Sequence, residues 1–388
     1  MSGPEARQTR GRVKVGLYVD PVAPLAGVAA GIRLAQVLRA DDVWLGDHTR
    51  AMLPDSVWDP ATNPLARLVP DLDAYFDPTV VIARYAGRFG PRIGTSVTDS
   101  IRRSPADLAR AWLTLHHVTG GKAVLGIGSG EIENTVPYGQ STARSVTRLD
   151  DTLGAIRAAW ESEGKPLTHA GPFHHWEHAT FAVPPRKGTF PPIWVAAQGP
   201  NACRAAGRWG DGWINVHHGF DAWRRAAGHV AEGAVEAGRN PEALERSLVI
   251  AGVLAKDRSS LEKACASPVM RAAVLALPGS DWAEAGLEHP LGESFGGYAG
   301  YDPALITPDV MAEAGRRLSP ESLARLMPSG TGAAVAGYLS EYVAAGLTHV
   351  IVINLMPACG LRLAAESMVE LRKLMGLLRR MRPGPFAG

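Results

Sequence analysis

Cysteine is scarce in this chain: three in 388 residues, Cys203, Cys265 and Cys359, far apart and odd in number. That excludes a disulfide framework and a thiolate metal knot, and it fits a reducing, cytoplasmic setting. Charge of one sign is also missing, since 40 Lys and Arg nearly cancel 38 Asp and Glu. Without a net field, neither nucleic acid nor an anionic membrane is an expected partner. No apolar run reaches the length of a membrane span, so no integral membrane contact is expected. The polar first segment, residues 1–12, has no apolar signal-peptide core and reads as a disordered leader. Phosphate-binding P-loops, zinc-protease helices of the H-E-x-x-H type and G-x-S-x-G nucleophile turns are all absent.

What is present is an alternation. Short β-branched runs lie at Val13 to Val19, Asp42 to Asp47, Arg92 to Thr98, Ala123 to Ser129, Pro192 to Gln198, Gly212 to His217, Leu248 to Ala255 and His349 to Leu355. Stretches of helical period separate them, including Ser104 to Val118, Arg148 to Trp160, Pro200 to Trp209, Phe220 to Ala237 and Thr331 to Ala345. Ser104-Pro105 supplies an N-cap and a first-turn proline, and Thr119-Gly-Gly121 a stop. Eight strand-helix units are the count for an α/β (β/α)8 TIM barrel, whose chemistry sits at the C-terminal ends of its strands. Residues 13–388 then form one barrel with insertions at about 50–75, 165–192 and 256–328. The last insertion is a lid facing substrate or a helical decoration packed on the barrel.

Two strand ends carry acid-base residues. The run Val124 to Gly139 passes from an apolar strand into glycines, then Glu131 and Asn134. Backbone without side chains can approach a flat or phosphorylated ligand beside one carboxylate. The second strand ends in Asp47-His48, either an acid-base pair or a polar strand end. The Gly126-Ile-Gly128-Ser-Gly130 element is a poor dinucleotide fingerprint, because Pro137 follows where a helix would have to run. Small polar residues after the third strand, Thr95 to Thr98, suit a ring edge, a phosphate or a plain turn. The Gly199-Pro200 turn would offer free backbone N–H groups to an anion. His174, His175 and His178 lack matched carboxylates, so no metal is expected. His217-His218 end the sixth strand within reach of substrate.

These motifs together resemble the bacterial luciferase-like flavin and deazaflavin oxidoreductases, in the branch that uses coenzyme F420. The resemblance runs from about Val13 to Leu374 and rests on Val43 to His48, Arg92 to Asp99, Leu125 to Gly139, Pro192 to Pro200 and Gly207 to Trp213. Within that branch, Glu133-Asn-Thr-Val-Pro-Tyr-Gly139 and Phe76-Asp-Pro78 look most like the phthiodiolone dimycocerosate ketoreductase group.

The resemblance implies hydride transfer between F420 and a carbonyl or alcohol on an apolar, lipid-like substrate, with FMN-dependent oxygenation and a non-catalytic cofactor-binding barrel as alternatives. It also implies a homodimer. His48, Glu131 and Asp47 would carry the chemistry. Asp47, Ser96, Val97, Thr98, Ser129, Gly130, Asn134, Gln198 and Gly199 would hold the cofactor, with Ser96-Val97 forming a bulge behind its ring. Met52 stands where the sugar-phosphate dehydrogenases of the family have tryptophan, which argues against glucose 6-phosphate.

Overall fold

The computed structural model describes residues 11–386 apart from 62, 88–89 and 217–218. Eight parallel strands close on themselves: β1 (Lys14–Val19), β2 (Asp42–Leu45), β3 (Arg92–Thr95), β4 (Ala123–Gly128), β5 (Ile193–Ala196), β6 (Gly212–Val216), β7 (Glu245–Leu254) and β8 (His349–Asn354). Each pairs with its neighbour in sequence, and β8 returns to β1. Near-continuous apolar runs such as His-Val-Ile-Val-Ile-Asn are what a parallel strand buried on both faces requires. The expected barrel is therefore present.

Two strands differ from expectation. The third stops at Thr95, passes through a cis Ser96–Val97 peptide and resumes as Thr98–Asp99 against the end of β4. The seventh begins at Glu245 rather than Leu248. Its polar start looks like a turn in sequence, yet Glu245 pairs with Lys14 and the Arg246 guanidinium donates to the Gly346 carbonyl at 2.7 Å. Satisfied in this way, polar residues extend a strand.

Helices α1 (Leu25–Val37), α2 (Pro78–Tyr85) and α3 (Pro105–Val118) follow β1, β2 and β3. The Asp77 and Ser104 side chains accept from the N–H groups of Thr79 and Asp107, with proline opening each helix. After β4 come α4 (Ile132–Thr135) and α5 (Ser145–Glu161), then α6 (Pro200–Trp209) after β5 and α7 (Phe220–Glu236) after β6. Leucines, valines and tryptophans of these helices and of the outward strand faces form the main core, whereas Trp44, Val124, Trp194, Ile214, Val249 and Ile351 fill the barrel itself.

The barrel's floor is polar. Asp42 at the start of β2 accepts from Trp44 Nε1 at 2.6 Å, contacts His349 Nε2 at 2.8 Å and pairs with Arg92 at 2.9 Å. His349 Nδ1 meets the Ser247 hydroxyl at 2.8 Å. Asp42, Ser247 and His349, fully buried, are tolerated because each has a partner. The charges and hydrogen bonds around Asp42 hold its carboxyl down to about 2 against the cost of burial.

Residues 165–192 carry a hairpin, Leu167–Ala170 against His175–Ala179, tied to α5 by Asp151, which meets His169 at 2.6 Å and accepts from the Phe173 and His174 N–H groups at 2.8 Å. The stretch after β7 holds α8 (Arg258–Ala266), α9 (Pro268–Leu275), α10 (Gly279–Glu284), α11 (Pro308–Arg317) and α12 (Pro320–Leu326). They enclose a second apolar core around Met270, Trp282, Tyr301 and Leu323, which takes in Val57 and packs Met52, Leu53 and Trp58 of the excursion after β2. The two excursions thus pack together at the strand ends, and Arg50 reaches Asp302 at 3.6 Å. Helices α13 (Gly332–Ala344) and α14 (Leu361–Leu378) complete the ring. Of the expected leader, residues 1–10 lie outside the described residues, and Arg12 pairs with Asp41.

Candidate active site at the strand ends

His48 follows Asp47 directly, three residues past the end of β2, while Glu131 stands at the N-cap of α4 and Glu133 and Asn134 lie on it, a single turn that Gly130 precedes with φ 95°. The two ends meet at Asn134. Its carboxamide oxygen accepts from the Thr49 backbone N–H at 2.7 Å and the Thr49 hydroxyl at 3.1 Å. Since a backbone N–H can only donate, this contact settles which end of the amide is oxygen. The nitrogen must then face three other atoms: His48 Nδ1 at 3.0 Å, Glu131 Oε2 at 3.1 Å and Glu133 Oε1 at 3.2 Å. His48 Nδ1 itself lies 3.5 Å from Glu131 and 3.9 Å from Glu133.

The two glutamates differ in setting. Glu131 is about one-third exposed, whereas the side chain of Glu133 is completely buried. Burial, and after it the charge of Glu131, push the Glu133 carboxyl up to about 9. Its Oε2 has no hydrogen-bond partner among the described residues. Glu133 was not singled out in the sequence; a second carboxylate two residues from Glu131, beside an amide, is the only signal there.

Asp47 is buried and faces the arginines. Arg102 donates to its backbone carbonyl at 2.5 Å and approaches its carboxylate at 3.4 Å, Arg103 approaches at 3.6 Å, and Arg102 also pairs with Asp99. Asp47 Oδ2 has no hydrogen bond among the described residues. Beneath His48, Tyr18 and Tyr75 both donate to Asp20, at 2.8 and 3.0 Å, and the Tyr75 ring lies 5.4 Å from the imidazole. Burial and the Asp20 charge hold both phenols well above their ordinary range.

The other expected residues ring the same mouth. Ser96 and Val97 form the cis-linked bulge after β3, Thr98 is buried in the short continuation, and Ser129 and Gly130 lead from β4 into α4. Gln198 and Gly199 are exposed where β5 hands over to α6, whose first turn has no side-chain cap. A Cβ on Gly128 would sit 3.1 Å from Val97 and 3.5 Å from Ala196, so this position lies between two groups of the mouth. Gly126 does something else: a Cβ there would collide with the Thr95 carbonyl, so its bareness serves strand packing rather than a ligand. His217 and His218 lie outside the described residues. The hairpin histidines stand apart, with His174 bonded to Thr152 at 2.9 Å and His175 and His178 exposed.

A match to the luciferase-like monooxygenase family model spans residues 7–349. The chain belongs to this family. Its sequence is 34% identical over 340 residues to the phthiodiolone/phenolphthiodiolone dimycocerosates ketoreductase of Mycobacterium tuberculosis (strain ATCC 25618 / H37Rv), covering 85% of this chain and 88% of that one. Over 165 residues, 41% of this chain and 48% of the relative, it is 33% identical to the F420-dependent glucose-6-phosphate dehydrogenase of Kineococcus radiotolerans (strain ATCC BAA-149 / DSM 14245 / SRS30216). Among solved structures, an F420-dependent secondary alcohol dehydrogenase in complex with an F420-acetone adduct superposes with a TM-score of 0.72 at 20% identity, over 95% of this chain and 99% of that one. That likeness establishes the shared fold.

Proposed function

We propose that this luciferase-like protein is an F420-dependent oxidoreductase that interconverts a ketone and a secondary alcohol on an apolar, lipid-like substrate. The observation that carries the reading is the hydrogen-bonded set of His48, Glu131 and Asn134, an imidazole and a carboxylate side by side at the strand ends, the face at which TIM barrels carry their chemistry. The ketoreductase relatives, matched over most of their length, support the reaction class. The F420-dependent relative supports the cofactor.

The mouth fits such a cofactor. Gly128 packs bare against Val97 and Ala196, backing the Ser96–Val97 bulge on which a flat ring would rest. Exposed Gln198 and Gly199 at the open start of α6 suit an anionic tail. Ser96, Val97, Thr98, Ser129, Gly130 and Asn134 would complete the cradle. A bound reduced deazaflavin supplies hydride to a carbonyl carbon.

The chain's own residues do the rest. With Asn134 donating to Nδ1, His48 carries its proton on Nε2 and presents it to the carbonyl oxygen. Glu131 holds the amide in place and is the alternative proton donor to the forming alkoxide. Asp47, locked by Arg102 and Arg103, fixes the backbone from which His48 projects. Tyr298, Phe295 and Trp58, partly buried against the second core, would line the apolar side, whereas Trp282 and Tyr301 are fully buried in that core.

We place the protein in the cytoplasm, since its three cysteines are free and no helix of the described residues is long and apolar enough to cross a membrane. We also expect a homodimer, which light scattering tests. The cofactor is tested by fluorescence titration of the apo-protein with F420 and with FMN. Selective F420 binding followed by its oxidation with ketones supports the reading. Selective FMN binding with oxygen consumption favours the monooxygenase, and binding of neither cofactor overturns both.

A further inference from the structure

The amide nitrogen of Asn134 has two hydrogens, yet three acceptor atoms surround it at 3.0 to 3.2 Å. The orientation of the amide cannot reverse, because Thr49 N–H holds the oxygen. If His48 Nδ1, Glu131 and Glu133 were all unprotonated, one would face the others with no hydrogen between them, in a site where Glu133 is sealed from water. Glu131 can turn to water instead, so the member least able to stand ionised is Glu133. His48 and Glu131 both reach the mouth, but Glu133 does not, and its Oε2 points away from the amide with no acceptor taken.

A second orphan lies on the insertion side. Tyr301 is fully buried and its hydroxyl has no partner among the described residues. An ionised Glu133 would raise that phenol further, after burial and Tyr298. The charged and titratable groups facing Glu133 are Glu131 on its own turn, His48 after β2, Tyr301 on the insertion, and Arg102 before α3. Arg102 is already engaged by Asp99 and Asp47, which leaves it little to neutralise Glu133.

We propose that Glu133 is the proton store of this site, a neutral carboxylic acid that lends its proton to His48 as His48 gives its own to the product oxygen. This rests on the ketone-reducing reading above. As the Nε2 proton passes to the forming alkoxide, Glu133 lends its proton to Nδ1 so that the ring stays neutral; a solvent proton then reaches Nε2 from the mouth and the Nδ1 proton returns to Glu133. No electrons pass through the glutamate. Acting through His48, Glu133 is a positioning and relay residue rather than one that touches substrate.

The decisive experiment needs no cofactor. Infrared spectra of the apo-protein at pH 7 should contain the carbonyl stretch of a protonated carboxylic acid, which fades as the pH is raised towards 10 and is absent in E133Q. With F420 and a ketone substrate, E133Q should lose at least 10-fold in turnover at pH 8 and much less at pH 6, while F420 binding changes less than twofold. E133D, which keeps an ionisable group, should recover part of the loss. If E133Q does not fold, E133D and the titration of the wild-type band decide alone. An ionised Glu133 at pH 7, or an unchanged pH profile in E133Q, overturns the proposal. A protein that shows the acid band but turns over no ketone contradicts the proposed function, not the protonated glutamate.

Discussion

Asn134 Nδ2 donates to His48 Nδ1 across 3.0 Å, joining residues 86 apart in sequence and the ends of two barrel strands. This bond selects the imidazole tautomer, since a nitrogen that accepts cannot carry the proton. It also makes α4 part of the apparatus that orients His48. An amide can do this only because Thr49 takes its oxygen.

Replacing that amide by a carboxylate should therefore be harmful in a pH-dependent way. Asn134→Asp puts a third acid between Glu131 and Glu133, with no hydrogen left to share. Its penalty grows as the pH rises and the added carboxyl is forced to ionise. We expect about 1–3 kcal/mol of lost stability at pH 8 and distinctly less at pH 5. Thermal unfolding across that range measures it, and a loss independent of pH would contradict the hydrogen count at this site.

Removing the acid-base groups themselves should act on turnover. His48→Ala and Glu131→Gln are each expected to slow ketone reduction about 100- to 10,000-fold, with F420 affinity held within a few-fold. Steady-state rates and fluorescence titration separate the two effects. Full activity in both variants would remove this cluster from the chemistry.

At the opposite end of the barrel the expected effect is on stability alone. Asp42 is held at about 2 in the folded chain against an ordinary 3.8. A carboxyl whose folded value is depressed contributes its stability above the unfolded value and loses it as the pH falls through the folded one. The contribution is roughly 2 kcal/mol at pH 6, gone near pH 2. The gap in unfolding free energy between wild type and Asp42→Asn should close over that interval, and a gap that widens in acid would refute the assignment.

Arg50 and Asp302 join the excursion after β2 to the insertion after β7 at 3.6 Å, with both side chains more than one-third exposed. An exposed pair of this kind contributes about 0–1 kcal/mol. Arg50→Ala should thus leave the melting temperature nearly unchanged while speeding proteolysis between Gly292 and Asp302. If the insertion closes over bound ligand, F420 with substrate restores protection. Equal cleavage with and without ligand would leave it a fixed decoration.

Much of this architecture was legible in the chain because parallel strands buried on both faces are written as apolar runs, and each run here ends in polar residues. Asp47-His48 and Glu131 with Asn134 stood out for that reason. Asp42 and His349 did not, since their contact joins residues 307 apart and each alone looks like a polar strand start. Glu133 was hidden by its residue type: a glutamate in a short polar helix reads as surface, and only the tertiary lid of neighbouring elements buries it. The early start of β7 was hidden likewise, because Lys14 on β1 and Gly346 in the turn before β8, which satisfy Glu245 and Arg246, are distant in sequence.

The glycines of the 126–130 run look equivalent in sequence and are not. A Cβ at Gly126 would strike the carbonyl oxygen of Thr95, a backbone atom that can move only by parting β3 from β4. Gly126→Ala should accordingly cost about 1–3 kcal/mol or more and depress expression of folded protein. At Gly128 the new methyl would meet Val97 Cγ2 and Ala196 Cβ, side-chain atoms at the mouth that can yield by a few tenths of an ångström. Gly128→Ala should fold with little change in melting temperature yet bind F420 at least 10-fold more weakly, because the methyl displaces Val97 of the bulge on which the ring would rest. Unfolding curves and fluorescence titration of the two variants give opposite patterns if the division is right. Tight F420 binding by a well-folded Gly128→Ala would move the ring away from the end of β4.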